Sequence, residues 1–165
     1  MKEVKIKLNG GIMPKKAHPS DAAFDLYVPE DVEIKRGRQV VDLKFSMELP
    51  KGYAATIQPR SGFSAKGMEV EIFEDIAGTG VETSYYERIS GDVTRGLVDE
   101  NYRGSVGVII KVDEEYCGYH RWILKKGTRI AQMQIVEVPQ VELIEVDELS
   151  DTDRGEGGFG HTGTR

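Results

Sequence analysis

Gly96-Leu97-Val98-Asp99-Glu100-Asn101-Tyr102-Arg103-Gly104 ends a short apolar run in a carboxylate at the start of a tight turn. Asp99 is either a turn aspartate bonding its own backbone or a general base. As a base it would take a proton from a water attacking a bound phosphate, while cations offset the developing charge. Tyr102, three positions on, has a ring suited to packing on a sugar. Pro59-Arg60-Ser61-Gly62 follows an apparent strand over residues 53–58. Ser61 there is either a simple cap or part of an anion site, its hydroxyl and nearby N–H groups aimed at phosphate oxygens with Arg60 adding charge. Ser20-Asp21-Ala22-Ala23-Phe24-Asp25-Leu26-Tyr27 sets Asp25 inside an apolar stretch. A carboxylate in such a setting needs an arginine, backbone N–H groups or a hydrated metal. In Arg129-Ile130-Ala131-Gln132-Met133, alternation sets Ile130 and Gln132 on one face of a strand and Ala131 and Met133 on the other. Gln132 is either a solvent-facing residue or a polar group of the same site.

The last twelve residues, Arg154 to Arg165, hold five glycines and one aromatic, Phe159. Such a tail reads either as a plain terminus or as a lid. A lone ring among glycines buries nothing until something arrives to stack on it. Glycine backbone approaches phosphate closely, Arg154 brings a forked cation, and Thr162 brings a hydroxyl.

Composition narrows the classes. The chain has 165 residues, 39% hydrophobic and 30% charged, enough for one domain with a core and too few to argue for two. Net charge is −6, which disfavours a nucleic-acid polymer as ligand and requires a local basic pocket for any small anion. One cysteine, Cys117, and three histidines cannot form an internal disulfide or a cysteine-rich zinc site. No apolar run approaches the roughly 20 residues of a membrane span, and the N-terminus lacks a secretory pattern. No membrane association and a cytoplasmic location are the default expectations.

Elements must position these groups, and the pattern that builds them has period two. Val4, Ile6 and Leu8 alternate with Glu3, Lys5 and Lys7, and Leu43, Phe45, Met47 and Leu49 with Lys44, Ser46, Glu48 and Pro50; Val141 and Leu143 continue the habit. Glycine and proline punctuate the runs, so many short strands are expected and the fold class is all-β. Residues 69–95 break the pattern, with seven acidic residues against two arginines and the pair Tyr85-Tyr86. They read as an acidic insertion, a hairpin or flap with little core of its own, and a surface for a possible protein partner.

In order along the chain, AAFDLY, PRSG, GLVDENYRG, RIAQM and RGEGGFGHTG resemble the five motifs of the homotrimeric dUTP pyrophosphatases, the dUTPases. The resemblance implies a jelly-roll-like β-barrel or sandwich over residues 1–150 and a flexible C-terminal arm over residues 151–165. It implies a homotrimer whose arms are exchanged between subunits, with shared active sites. It implies cleavage of dUTP to dUMP and pyrophosphate by attack at the α-phosphorus, with Mg²⁺ on the triphosphate. Carried over by position, Asp99 is the base and Tyr102 packs on the deoxyribose. Gly96, Leu97, Val98 and Gly107 line the uracil and sugar pocket; Arg60, Ser61, Gly62 and Gln132 hold phosphates. Arg154 reaches the outer phosphate, Phe159 covers the base with Gly160, His161 and Thr162 beside it, and Asp25 meets the metal through water only.

The chain departs from the family pattern at three points. His161 stands where many members carry serine, the stretch between Ser61 and Asp99 is long, and residues 92–95 replace an asparagine-containing turn. Two rivals remain: a dCTP deaminase of the same fold, which characteristically carries a second serine where Gly62 stands, and a regulatory module that uses the fold to engage a protein.

Overall fold

The computed structural model describes residues 2–113 and 120–156. Among them the chain is built almost wholly from antiparallel strands, with one short helix and a single turn of 3-10 helix at Ile76–Gly78. The all-β class expected from the alternating runs, with the jelly-roll-like fold that the resemblance implies, is what the chain adopts. Strand β1 (Lys5–Leu8) pairs with β5 (Phe45–Glu48), with Lys5 facing Glu48 across the ladder in a 2.7 Å ion pair. Leu43, Phe45, Met47 and Leu49 are all buried, as period-two alternation requires of one strand face.

The sheet that carries the site has four strands in the order β10 (Gly96–Val98), β6 (Tyr53–Gln58), β13 (Arg129–Glu137) and β2 (Phe24–Tyr27). Helix α1 (Ser61–Lys66) follows β6 and buries Phe63. A second sheet orders β3 (Val32–Ile34), β12 (His120–Leu124), β7 (Met68–Asp75) and β8 (Glu82–Ile89). A third orders β4 (Gly37–Asp42), β11 (Gly107–Val112) and β9 (Gly91–Val93). Their inner faces share one core in which Leu26, Ile34, Leu43, Ile110, Leu124 and Ile130 have no exposed surface. No helix among the described residues is long and apolar enough to cross a membrane.

Two expectations change. Residues 69–95 do carry core: Val70, Ile72, Ile89 and Val93 are buried, and β7 is an inner strand paired with both β12 and β8. The acidic count hid this because Glu69 and Glu71 take the outward face of β7 while Met68, Val70 and Ile72 take the inward one. The segment's solvent-facing part is β8, an edge strand exposed along its length until Ile89, reached through a tip with positive φ at Gly78 and Gly80. The alternation at Val141 and Leu143 makes no strand within the chain. After Val138, whose N–H donates to the Gly52 carbonyl at 2.8 Å, residues 139–150 run without ladder partners and both side chains stand in solvent.

The Lys125 ammonium ties the second sheet together. Its Nζ lies 2.5 Å from Asp31 Oδ2 and 3.1 Å from Glu71 Oε2. The Lys126 N–H donates to the other Asp31 oxygen and the Ser84 hydroxyl to the other Glu71 oxygen. These donors hold both carboxyls below their ordinary ranges and raise the ammonium above the usual lysine range. Carboxylates depressed on folding contribute stability above their unfolded values and lose it as pH falls through the folded ones. Thermal stability is therefore expected to decline below about pH 4. Lys125→Met should make that decline shallower, which melting curves from neutral to acidic pH would measure.

Candidate active site

Strand register brings four of the expected residues into one pocket. Asp25 on β2 stands opposite Gln132 on β13, which stands opposite Gln58 on β6. Arg60 and Ser61 follow directly as β6 gives way to α1. Together with Arg129 these six line a polar cleft of about 380 Å³. The Asp25 carboxylate is 13% exposed and lies between two guanidinium groups, Arg60 Nε at 2.7 Å and Arg129 Nη1 at 3.5 Å. The Gln132 amide donates to the Pro59 carbonyl at 3.0 Å, bracing β13 against the turn that presents Ser61. Gly62 lines an adjoining cleft with Lys66, Arg88 and the outer side of Arg60 and Arg129.

Arg129 and Gln58 were not anticipated. Arg129 heads the RIAQM run, and its charge was the available signal. What strict alternation could not show is the register shift between Arg129 and Ala131. That bulge leaves Ile130 and Ala131 both buried and so replaces the two-faced arrangement expected for this strand.

Asp99 lies in a different recess. Gly96, Leu97, Val98, Asp99, Tyr102 and Gly107 line a cleft of about 230 Å³ whose apolar wall includes Ile57 and Ile109. The Tyr102 N–H closes the turn onto the Asp99 carbonyl at 3.1 Å, and its hydroxyl donates to the Ser105 carbonyl at 3.0 Å. The ring lies across Gly104, where a Cβ would come 2.4 Å from the phenol oxygen, so any larger residue would displace the ring. The Ser105 hydroxyl donates to Asp42, which also accepts the Lys44 N–H; these two bonds hold the Asp42 carboxyl below the usual range. The cleft's second wall is thereby pinned to β4.

The two recesses belong to opposite ends of one sheet. Val98 pairs with Ala55, so Asp99 falls level with Ala54, four residues along β6 from Gln58. Asp99 is also three strands across from Asp25. At ~3.3 Å per residue and ~4.8 Å per strand, the two carboxylates are about 20 Å apart within one chain. Arg154 lies in the described residues, with contacts of its own, beyond the extended segment. Phe159, Gly160, His161 and Thr162 lie outside the described residues.

Three comparisons bear on this arrangement. The dUTPase family model matches residues 9–88 and 84–163. Deoxyuridine 5'-triphosphate nucleotidohydrolase of Gloeothece citriformis is 40% identical over 92% of this chain and 89% of its own length. The monkeypox virus protein of the same name is 37% identical over 92% of this chain and 83% of its own. The dUTPase of Staphylococcus bacteriophage 80alpha, solved with dUpNHpp, superposes with a TM-score of 0.76 at 25% identity over 99% of both chains. With sequence and fold in agreement across nearly its whole length, this chain belongs to the dUTPase family.

Proposed function

We propose that this protein hydrolyses dUTP to dUMP and pyrophosphate in sites completed by neighbouring subunits of a homotrimer. The observation that carries the shared site is the separation of about 20 Å between Asp99 and the Asp25–Arg60–Gln132 cleft, set by strand count and register. No single water could be activated by one and attack a phosphate held by the other in the same chain. The unpartnered segment 139–150 supports the same reading. Leu143 is 94% exposed and Leu149 86%, beside Val141, Ile144 and Val146. Apolar side chains gathered in this way favour cover by another surface. On the same chain, Val4, Ile6, Met13, Phe24, Met133 and Ile135 line an apolar groove of about 320 Å³ suited to such a segment from another subunit.

In the completed site the cleft formed by Arg60, Ser61 and Gln132 receives the phosphates, with Gly62 at its margin. The recess beside Tyr102 receives the uracil and deoxyribose against the backbone of Gly96, Leu97, Val98 and Gly107. Asp99 takes a proton from water as its oxygen attacks the α-phosphorus. The bond from that phosphorus to the α–β bridging oxygen breaks, and pyrophosphate leaves carrying the electron pair. Guanidinium groups suit the charge that collects on the departing oxygens. Arg154 and Phe159 act from the arm, on the outer phosphate and the base.

The residues fit Mg²⁺ brought in on the triphosphate. The Asp25 carboxylate is already engaged by Arg60 and Arg129, and no three His, Cys, Asp or Glu side chains converge among the described residues. Asp25 would therefore meet the ion through its water shell. The ion itself supplies charge neutralisation on the phosphates.

Pyrophosphate release measured across dUTP, dTTP, dCTP and UTP, with and without Mg²⁺, tests the activity. Release of ammonia from dCTP in place of pyrophosphate from dUTP would favour the deaminase. Asp99→Asn should bind nucleotide yet lower turnover by ~10²–10⁴-fold, the range for a lost general base; near-normal turnover would remove Asp99 from that role. Truncation after Ser150 should leave a folded trimer by light scattering and circular dichroism but slow catalysis severely. An unfolded product would make the arm structural.

A further inference from the structure

We infer that Glu100 is a positioning residue for Asp99, acting through the backbone of Gly52. Strand β10 is three residues long and its ladder to β6 ends at Val98 paired with Ala55. Asp99 lies just beyond that last pair, in a turn closed by the Tyr102 N–H. Two residues past the ladder, the Glu100 carboxylate accepts the Gly52 N–H at 2.5 Å, a half-buried contact spanning 48 positions of sequence. The Glu100 carbonyl in turn accepts the Arg103 guanidinium. A side chain thus extends the β10–β6 tether where backbone pairing has stopped, and a charged acceptor makes it stronger than a neutral bond.

Gly52 is shaped for this. A residue inside an antiparallel ladder exchanges its N–H and C=O with one facing residue. Gly52, at φ +79°, sends its N–H to Glu100 and its C=O to the Val138 N–H, on opposite flanks of β6. The same residue therefore joins the turn that bears Asp99 to the last paired residue before segment 139–150. Without the Glu100 anchor the turn keeps its local hydrogen bonds but loses its fixed distance from β6, and Asp99 moves relative to the attacking water.

This inference rests on Asp99 being the base, and the experiment separates the two. Pyrophosphate release from dUTP and melting temperature are measured for the full-length protein, Glu100→Ala, Glu100→Gln and Asp99→Asn. Glu100→Ala should lose roughly 10-fold to 100-fold in kcat, the scale of a displacement near 1 Å, with KM within about twofold. Glu100→Gln, which keeps an acceptor oxygen, should recover most of the loss. A merely structural role would lower the melting temperature without that kcat-specific, Gln-rescued defect. If Glu100→Ala fails to fold, Glu100→Asp, too short to reach Gly52, is expected to show the same kcat loss. Full kcat in a folded Ala or Asp variant, or a Gln variant as slow as Ala, would overturn the inference. If Asp99→Asn alone retains turnover, it is the base assignment that falls.

Discussion

A single carboxylate inside an apolar strand organises the polar half of this molecule. Asp25 is largely buried on β2, and a charge so placed is tolerable only with partners. Its partners come from two other segments: Arg60, just after β6, and Arg129, at the start of β13. Three separate pieces of chain therefore converge on two carboxylate oxygens. Arg60 and Arg129 are balanced in this cleft by Asp25 and Asp21. The excess of positive charge lies in the adjoining cleft, where Lys66 and Arg88 join the same two guanidinium groups against Glu69, in a chain whose net charge is −6. That local reversal of sign is what an anionic ligand requires, since the field of the whole molecule opposes its approach.

Strand β6 converts this electrostatic centre into a layout. Paired on one side to β13 and on the other to β10, it sets the polar cleft at its C-terminal end and Asp99 beside its N-terminal end. The rigidity of antiparallel pairing then works against a self-contained site, because no side-chain rearrangement closes a gap of about 20 Å. A nucleotide that used both recesses would need a second copy of the chain, as the proposed trimer supplies. The exposed leucines beyond Val138 belong to the same logic, as apolar surface with no place in its own fold.

Much of this was legible in the sequence, and the exceptions share a cause. Asp25, Arg60, Ser61 and Gln132 were marked by short motifs whose order resembles that of the dUTPases, whereas residue types alone left Ser61 and Gln132 open. Their convergence follows from the pairing of β2, β13 and β6, in which Asp25, Gln132 and Gln58 fall level. Arg129 escaped because a bulge, invisible to period-two reasoning, redirects it. The core on β7 escaped because counting charge over a window averages the two faces of a strand. The Glu100–Gly52 contact joins residues 48 apart through a side chain and a backbone N–H, and neither residue type signals the other. Local motifs are readable; non-local geometry becomes readable only once register is known.

Gly52 shows how far the layout constrains the chemistry. A base must be held close to its water, yet β10 offers only three residues of ladder to hold it. Lengthening β10 would carry regular backbone into the turn that exposes Asp99 and lets Tyr102 lie over Gly104. A side-chain tether from Glu100 resolves the conflict, leaving the turn irregular while fixing where it sits. Because the tether ends on Gly52, whose own carbonyl accepts the Val138 N–H, a displacement at the root of segment 139–150 reaches the Asp99 turn through two hydrogen bonds and one residue. In a trimer with exchanged arms, that short path would make seating of the segment on a neighbour and alignment of Asp99 parts of the same event.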